Sequence, residues 1–106
     1  MPERKRSPIS RRLKIARTKA GLSQKTLGIK AGIDQFSASA RMNQYETEKH
    51  SPDFGTVKRI ADVLSLPTAY FYCEEDELAN IIELWAQASI PEQKEILKII
   101  QKATHK

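Results

Sequence analysis

The sequence predicts an all-α protein with five short helices followed by two more near the C-terminus. Apolar residues recur at three- and four-residue spacings along most of the 106 residues, and no segment alternates apolar and polar residues at the period of a strand. Glycines and prolines interrupt this pattern at short intervals, as they do between helices. Apolar residues make up 40% of the chain, which is enough for one compact core.

The first two predicted helices each begin at a serine and end at a glycine. Ser10 and Ser23 can accept hydrogen bonds as N-terminal caps. Gly21 and Gly32 tolerate the positive φ that commonly follows a helix. The second helix is predicted over residues 24–31.

The third and fourth helices are predicted on either side of a break at Ser51-Pro52-Asp53. The third covers residues 38–46, and a short fifth helix covers residues 69–72. Apolar residues at helical spacing form one face of the fourth helix: Phe54, Val57, Ile60, Ala61 and Leu64.

Two amphipathic helices are predicted in the tail. The sixth, over residues 76–89, carries an apolar stripe of Leu78, Ile81, Ile82 and Trp85. Pro91 in a first turn, with Glu92 beside it, opens the seventh helix. Its apolar stripe is Ile96, Leu97, Ile100 and Ala103.

The net charge of +5 is unevenly distributed along the chain. From Met1 to Lys30 there are ten Lys or Arg and one acid, whereas from Cys73 onward there are four Lys and seven acids. A basic front suits a polyanion, because each neutralised phosphate of a nucleic acid releases condensed counterions. A solvated surface that merely carries lysines is the alternative.

Several classes of function are not expected. Cys73 is the only cysteine, and it has none of the usual ligand spacings to His50 or His105, so we expect neither a disulfide nor a metal site. No apolar run approaches the roughly 20 residues of a membrane helix, and the basic start lacks the apolar stretch of a signal peptide. Catalytic motifs are absent. We therefore expect a cytoplasmic protein that is not an enzyme, without cofactor or membrane contact.

The centre of the chain suits two helices that cross closely. Gln24, Gly28 and Gly32 are spaced four apart. Gly28 has no side chain to obstruct a close crossing, although glycine costs about 1 kcal/mol of helix propensity relative to alanine. Met42 and Tyr45, three apart on the next helix, suit its inner face.

From Leu13 to Tyr72 the chain resembles the lambda-repressor-like, or XRE-type, helix-turn-helix family. The matching residues are Leu13-x-x-Ala-Arg-x-x-Ala-Gly-Leu-Ser-Gln24, Leu27, Gly32-Ile33, Tyr45-Glu46, Pro52, Ile60-Ala-x-x-Leu-x-Leu-Pro67 and Tyr70-Phe71. The resemblance implies a five-helix DNA-binding domain at residues 10–73, after a basic arm at residues 1–9 and before a helical tail at residues 74–106. The helix around residues 38–48 would read the major groove of double-stranded DNA.

The resemblance also implies roles for individual residues. Side chains expected to contact base edges are Ser39, Ala40, Arg41, Asn43 and Gln44. Arg41 can pair with guanine and Gln44 with adenine, although Arg41 could instead only grip phosphate. Side chains expected to contact phosphates are Gln24, Lys25, Lys49 and, in the arm, Arg4, Lys5 and Arg6. Plain helix-opening or solvated surface roles are the alternatives for these residues.

Arg17 and Glu46 occupy positions that the family often joins as a buried ion pair between its first and third helices. We interpret them as structural.

The chain departs from the family in two places. The separation of Gly32 and Glu46 is longer than usual by about four residues, close to one turn of 3.6 residues. We expect the extra residues to lengthen the third helix from a cap at Asp34. The alternative is a longer turn with Phe36 tucked into the core. The glycine that commonly follows the glutamate is replaced by Glu48, so the third helix is also expected to run slightly further.

The apolar stripes of the tail are expected to contribute to a homodimer, because dimers of this family read two half-sites. The predicted interface residues are Leu78, Ile82, Trp85, Ile96, Leu97 and Ile100. Packing within one chain is the alternative. Two functions follow as hypotheses: a sequence-specific transcriptional regulator without a small-molecule effector, or a protein-binding module, such as an antitoxin-like partner, with secondary DNA binding.

Overall fold

The computed structural model describes residues 7–105, which form seven α-helices and no strand. The prediction of an all-α protein is confirmed. The helices are α1 (Pro8–Lys19), α2 (Gln24–Lys30), α3 (Ala38–Glu46), α4 (Phe54–Leu64), α5 (Thr68–Tyr72), α6 (Asp76–Gln87) and α7 (Ile90–Thr104). None of the helices in this part of the chain has both the length and the apolar character needed to cross a membrane.

Four of the seven helices in the described residues, α1, α2, α4 and α7, begin after a short polar side chain that accepts a hydrogen bond from a backbone N–H of the first turn. The Ser23 hydroxyl accepts a hydrogen bond from the Thr26 N–H at 3.0 Å, as predicted, and Asp53 accepts one from the Thr56 N–H at 2.8 Å. The predicted cap at Ser10 is wrong, because the cap lies three residues earlier, at Ser7, and Pro8 is in the first turn of α1. Ser10 instead lies buried within the helix and donates to the Ser7 carbonyl.

The connection between α2 and α3 is longer than we expected, and α3 does not begin at Asp34. The Asp34 carboxylate accepts a hydrogen bond from the Phe36 N–H at 3.0 Å, which closes a tight turn two residues ahead of α3. Phe36 is 87% exposed, so the alternative that tucks this ring into the core is also wrong. The adjoining interior is already occupied by Ala38 and Met42, both fully buried.

The third helix also ends earlier than expected, at Glu46. Glu48 adopts a positive φ of 63°, and its carboxylate accepts a hydrogen bond from the Ser7 N–H at the start of α1. Glu48 thus adopts the left-handed conformation that is easiest for glycine, and its hydrogen bond to Ser7 holds it there.

The core lies among α1 to α5. Its largest fully buried side chains are Leu13, Leu27, Met42, Val57, Ile60 and Phe71. The α2–α3 contact is the most extensive between any two helices, and α5 joins α1, α4 and α6. In contrast, α7 contains no buried residue, and α6 contains one, Ala79.

The tail helices have sharply defined ends. The Ser89 hydroxyl accepts from the Glu92 N–H at 3.2 Å, and the Glu92 carboxylate accepts from the Ser89 N–H at 2.7 Å. This capping box, together with Pro91 in the first turn, starts α7 at Ile90. Because Ser89 serves as the cap of α7, α6 ends two residues before the predicted position.

Candidate nucleic-acid interface

The third helix has one face in the core and one in solvent. Ala38, Met42 and Tyr45 are buried, at 0%, 0% and 8% exposure. Ser39, Ala40, Arg41 and Asn43 are exposed, and Gln44 is half-buried. The five side chains expected to contact bases therefore lie on the solvent-facing part of α3 or at its edge, where a ligand can reach them.

The position of α3 depends on Gly28 in α2. A Cβ atom added at Gly28 would lie 2.9 Å from the Ala38 Cβ, 3.0 Å from the Met42 Cγ and 3.2 Å from the Ala38 carbonyl oxygen. These distances are shorter than ordinary contacts, so any larger residue would push α3 outwards. The expectation that Gly28 permits a close helix crossing is confirmed.

Arg17 of α1 holds the other side of α3. Its Nε and Nη2 atoms donate to the two carboxylate oxygens of Glu46 at 2.6 and 3.1 Å, and Nη1 donates to the Leu22 carbonyl at 2.8 Å. Side-chain exposure is 15% for Arg17 and 3% for Glu46. The hydrogen bond to Glu46 raises the pKa of Arg17 above its ordinary value. This bidentate pair joins the first and third helices.

Gln24 lies at the start of α2, half-buried, where its amide faces α3. Its Nε2 atom donates to the Glu46 Oε1 at 3.1 Å and to the Asn43 Oδ1 at 3.3 Å. Both hydrogens of this nitrogen are thus engaged, and a phosphate contact through Nε2 requires it to leave Asn43 or Glu46. In this arrangement Gln24 orients Asn43, which sequence reasoning did not foresee.

Exposed cations lie in α2, in α3 and just after α3. Lys25, Lys30, Arg41 and Lys49 are exposed, and none of them forms an ion pair within residues 7–105. Between residues 24 and 45 the one carboxylate is Asp34. The arm residues with expected phosphate contacts, Arg4, Lys5 and Arg6, lie outside the described residues.

The cations of α1 are engaged differently, because several of them pair with acids of the tail. Arg11 and Arg12 contact Asp76 at 2.5 and 2.9 Å, and Lys19 contacts Glu83 at 2.8 Å. Some cations of the basic N-terminal segment thus form ion pairs with acids of the C-terminal tail. These pairs were not predicted from the sequence, because partners more than 60 positions apart leave no local signal.

The predicted dimer-interface residues divide into two groups. Leu78, Leu97 and Ile100 are 44%, 47% and 46% exposed. Ile82, Trp85 and Ile96 are half-buried, and Ile82 packs against the core. Further exposed apolar side chains of the tail, which were not among the predicted interface residues, are Ile81, Leu84, Ile90 and Ile99. The tail therefore presents a wide uncovered apolar surface.

The described residues offer no cluster suited to a metal ion. No three of their histidine, cysteine, aspartate and glutamate side chains converge on a point where they could hold a metal ion. Cys73 is buried, and its Sγ donates to the Glu75 carbonyl at 3.3 Å.

Comparison with known proteins identifies a close structural match. The crystal structure of a transcriptional regulator, BswR, superposes with a TM-score of 0.83 and is 50% identical in sequence. The match covers 88% of this chain and 92% of the other, so it includes the tail as well as the core helices. No protein-family description matches the chain, and neither does any curated protein.

Proposed function

We propose that this chain, which belongs to the family of the transcriptional regulator BswR, regulates transcription by binding double-stranded DNA with α3 in the major groove. In this proposal α1 to α5 form a lambda-repressor-like domain of the XRE type, and α2 and α3 are its helix-turn-helix. The proposal keeps the domain bounds expected from the sequence, residues 10–73, extended at the start because α1 begins at Pro8.

The observation that carries the proposal is the division of α3 into two faces. The inner face is locked by Gly28 on one side and by the Arg17–Glu46 pair on the other. The outer face presents Arg41 and Asn43, which have donors suited to base edges. An α-helix fits the major groove, so a rigidly held helix with a polar outer face can read a sequence.

Each polar side chain of α3 has a distinct role in this proposal. Arg41 donates two hydrogen bonds to the O6 and N7 atoms of a guanine, and Gln44 contacts an adenine. Asn43, held by Gln24, reads a neighbouring base, while Ser39 and Ala40 contact base edges near the start of α3. The alternative for Arg41, a phosphate contact alone, predicts a different response to sequence and salt and is separated below.

The flanking cations supply affinity that does not depend on sequence. Lys25 and Lys49 lie near the two ends of the α2–α3 unit, are exposed, and have no ion-pair partner in the described residues. Each phosphate contact contributes through counterion release, so binding weakens as salt rises. Arg4, Lys5 and Arg6 of the arm extend the same contribution.

The uncovered apolar surface of α6 and α7 supports a homodimer. The 15 residues of α7 include no buried residue, although a helix of this length is only marginally stable in water without packing. A second copy that covers Leu97, Ile100 and their neighbours would supply that packing. It would also bring two copies of α3 to two half-sites related by two-fold symmetry, which one short helix cannot read alone.

The test is a selection from randomised DNA, followed by titration of the selected duplex at several salt concentrations. We expect the wild type to bind it at least about a thousandfold more tightly than bulk DNA. Arg41→Ala should weaken this binding by about 5- to 150-fold and relax the preference at one position, since a bidentate base contact contributes about 1–3 kcal/mol of discrimination.

Lys98→Ala is the matched control, because it removes one exposed positive charge from α7, far along the chain from α3. It should leave the sequence preference unchanged. If Arg41→Ala lowers the salt dependence but preserves the preference at every position, Arg41 grips phosphate and does not read a base. If wild-type binding is weak and indifferent to sequence, the DNA-binding proposal is wrong.

The second candidate function is a protein-binding module, and the apolar surface of the tail favours it. Sedimentation separates the two cases. If the protein stays monomeric at tens of micromolar, the homodimer is contradicted, and the apolar surface of the tail is available to bind a different protein.

A further inference from the structure

The tail helix α6 is joined to α1 at two points that are equally spaced on both helices. Asp76, the first residue of α6, contacts Arg11 and Arg12. Glu83, seven positions later, contacts Lys19, which is seven positions after Arg12. Seven residues of α-helix span about 10.5 Å, so the two helices run in the same direction and in register between these contacts. We call these two contacts the ionic bracket.

Arg12 is the strongest element of the ionic bracket. It is a charged residue with 3% exposure. Its Nε donates to the Cys73 carbonyl at 2.9 Å, and its Nη2 donates to the Glu74 carbonyl at 3.3 Å and contacts the Asp76 carboxylate at 2.9 Å. Its guanidinium also lies 5.8 Å from the centre of the Tyr70 ring. One side chain of α1 therefore holds the whole junction between α5 and α6.

Apolar packing alone orients α6 weakly. Ala79 is its one buried residue, and Ile82 packs partly against the core. These two neighbours on one face keep α6 close to α5, but they define little about its direction. The direction is defined by the ionic bracket, which reaches α1 at both ends of an interval of about 10.5 Å.

We infer that the ionic bracket sets the distance and rotation between the two DNA half-sites that a dimer of this chain accepts, with Arg12 as the positioning residue. This inference rests on the proposed function. In a dimer joined through α6 and α7, the direction of α6 relative to α1 determines where each α3 lies. The reading helix is coupled to α1 by the Arg17–Glu46 pair, so α1 transmits that direction.

Binding should depend strongly on the spacing of the half-sites, because the double helix turns once in about 10–10.5 base pairs. One inserted base pair rotates a half-site by about 35° relative to the other. A dimer in which the direction of α6 is fixed can bind half-sites at one spacing. A dimer in which α6 can rotate relative to α1 can bind half-sites at several spacings.

The test uses the duplex selected by the wild type and a series in which zero to five base pairs are inserted at its centre. We expect two inserted base pairs to weaken wild-type binding by at least about 30-fold. In the double variant Asp76→Asn/Glu83→Gln the penalty should fall to about threefold. The Asp76 side chain is 74% exposed, and Glu83→Gln keeps the size of a side chain that is 14% exposed, so this variant should remain folded. Arg12→Gln is the more severe second variant.

Asp62→Asn is the matched control, because it breaks an ion pair of similar length, 2.8 Å, that lies entirely within α4. It should keep the full spacing penalty. The exchange Lys19→Glu/Glu83→Lys should also keep a substantial part of it, since the pair is restored with reversed charge. A role in stability alone would change affinity for all spacings together and would not produce this pattern.

A second measurement uses no DNA. Spin labels on Ser51→Cys, an exposed position, should give one narrow distance between copies in the wild type and a broad distribution in the bracket variant. A narrow distribution and an unchanged spacing penalty in the variant would overturn the inference. Failure of the wild type to select any sequence, or to dimerise, overturns the proposed function and this inference with it, and it is seen before any variant is compared.

Discussion

Removing the charge of Glu46 should destabilise the protein far more than removing the charge of an exposed residue. The Glu46 carboxylate is 3% exposed and accepts hydrogen bonds from Arg17 at 2.6 and 3.1 Å and from Gln24 at 3.1 Å. Glu46→Gln keeps the size of the side chain but replaces one acceptor oxygen with a donor that faces other donors. The Arg17 guanidinium then keeps one amide oxygen and the Leu22 carbonyl as acceptors, and it loses its opposite charge.

The magnitude follows from the burial of the pair. Breaking a fully buried pair costs about 3–5 kcal/mol, whereas an exposed pair contributes about 0.2–1 kcal/mol. Arg17 retains 15% exposure of its side chain, so we expect Glu46→Gln to lower the free energy of unfolding by about 2–4 kcal/mol. The melting temperature should fall by roughly 10 °C or more.

The assay is urea unfolding followed by circular dichroism near neutral pH, with all variants at one protein concentration because dimerisation would couple to folding. Asp62→Asn is the matched control, since Lys58 and Asp62 are 57% and 63% exposed, and it should cost less than about 1 kcal/mol. The double variant Arg17→Met/Glu46→Leu should recover much of the loss, because no unpaired charge stays buried. Equal costs for Glu46→Gln and Asp62→Asn would refute the reasoning.

Three further outcomes are expected. Gly28→Ala should lower the free energy of unfolding by about 1–3 kcal/mol through overpacking, whereas Gly55→Ala, whose new Cβ would meet nothing closer than 3.7 Å, should raise it by roughly 0.5–1 kcal/mol; a stabilising Gly28→Ala in urea unfolding would contradict the close crossing. Hydrogen bonds from two arginines of α1 lower the pKa of Asp76, so its carboxylate stabilises the fold above about pH 4 and loses this contribution as the pH falls through the lowered pKa. The difference in urea midpoint between the wild type and Asp76→Asn should accordingly shrink as the pH falls from 7 to 3, and a difference that grows on acidification would show the opposite sign. Leu97→Ser/Ile100→Ser should shift sedimentation at tens of micromolar from dimer to monomer with the helical signal of α1 to α5 retained, whereas a persistent dimer would place the interface elsewhere.

Local patterns in the sequence were sufficient for much of the fold. Apolar periodicity predicted all seven helices, and α3 covers residues 38–46 without the extensions expected at its two ends. Ser23 acts as the expected cap, and Gly32 has the expected positive φ of 90°. These features depend on interactions within one or two turns, so the neighbouring residues are enough to specify them.

Predictions failed where two local structures compete for the same residues. Asp34 can cap a helix or close a tight turn, and both use the same carboxylate. The choice depends on whether the residues that follow can enter the core. Because Ala38 and Met42 already fill the space beside Gly28, the chain forms the turn and leaves Phe36 in solvent.

The sequence by itself determined the helices, the cap at Ser23 and the polar outer face of α3, since each follows from spacing and from the chemistry of adjacent residues. Only the tertiary structure decided which charges are free to meet a ligand. Arg12 and Lys19 belong to the same basic segment as Lys25, yet acids from the tail engage the first two and leave Lys25 exposed. Such pairings join residues more than 60 positions apart, and their energies depend on burial and distance, which no local pattern records.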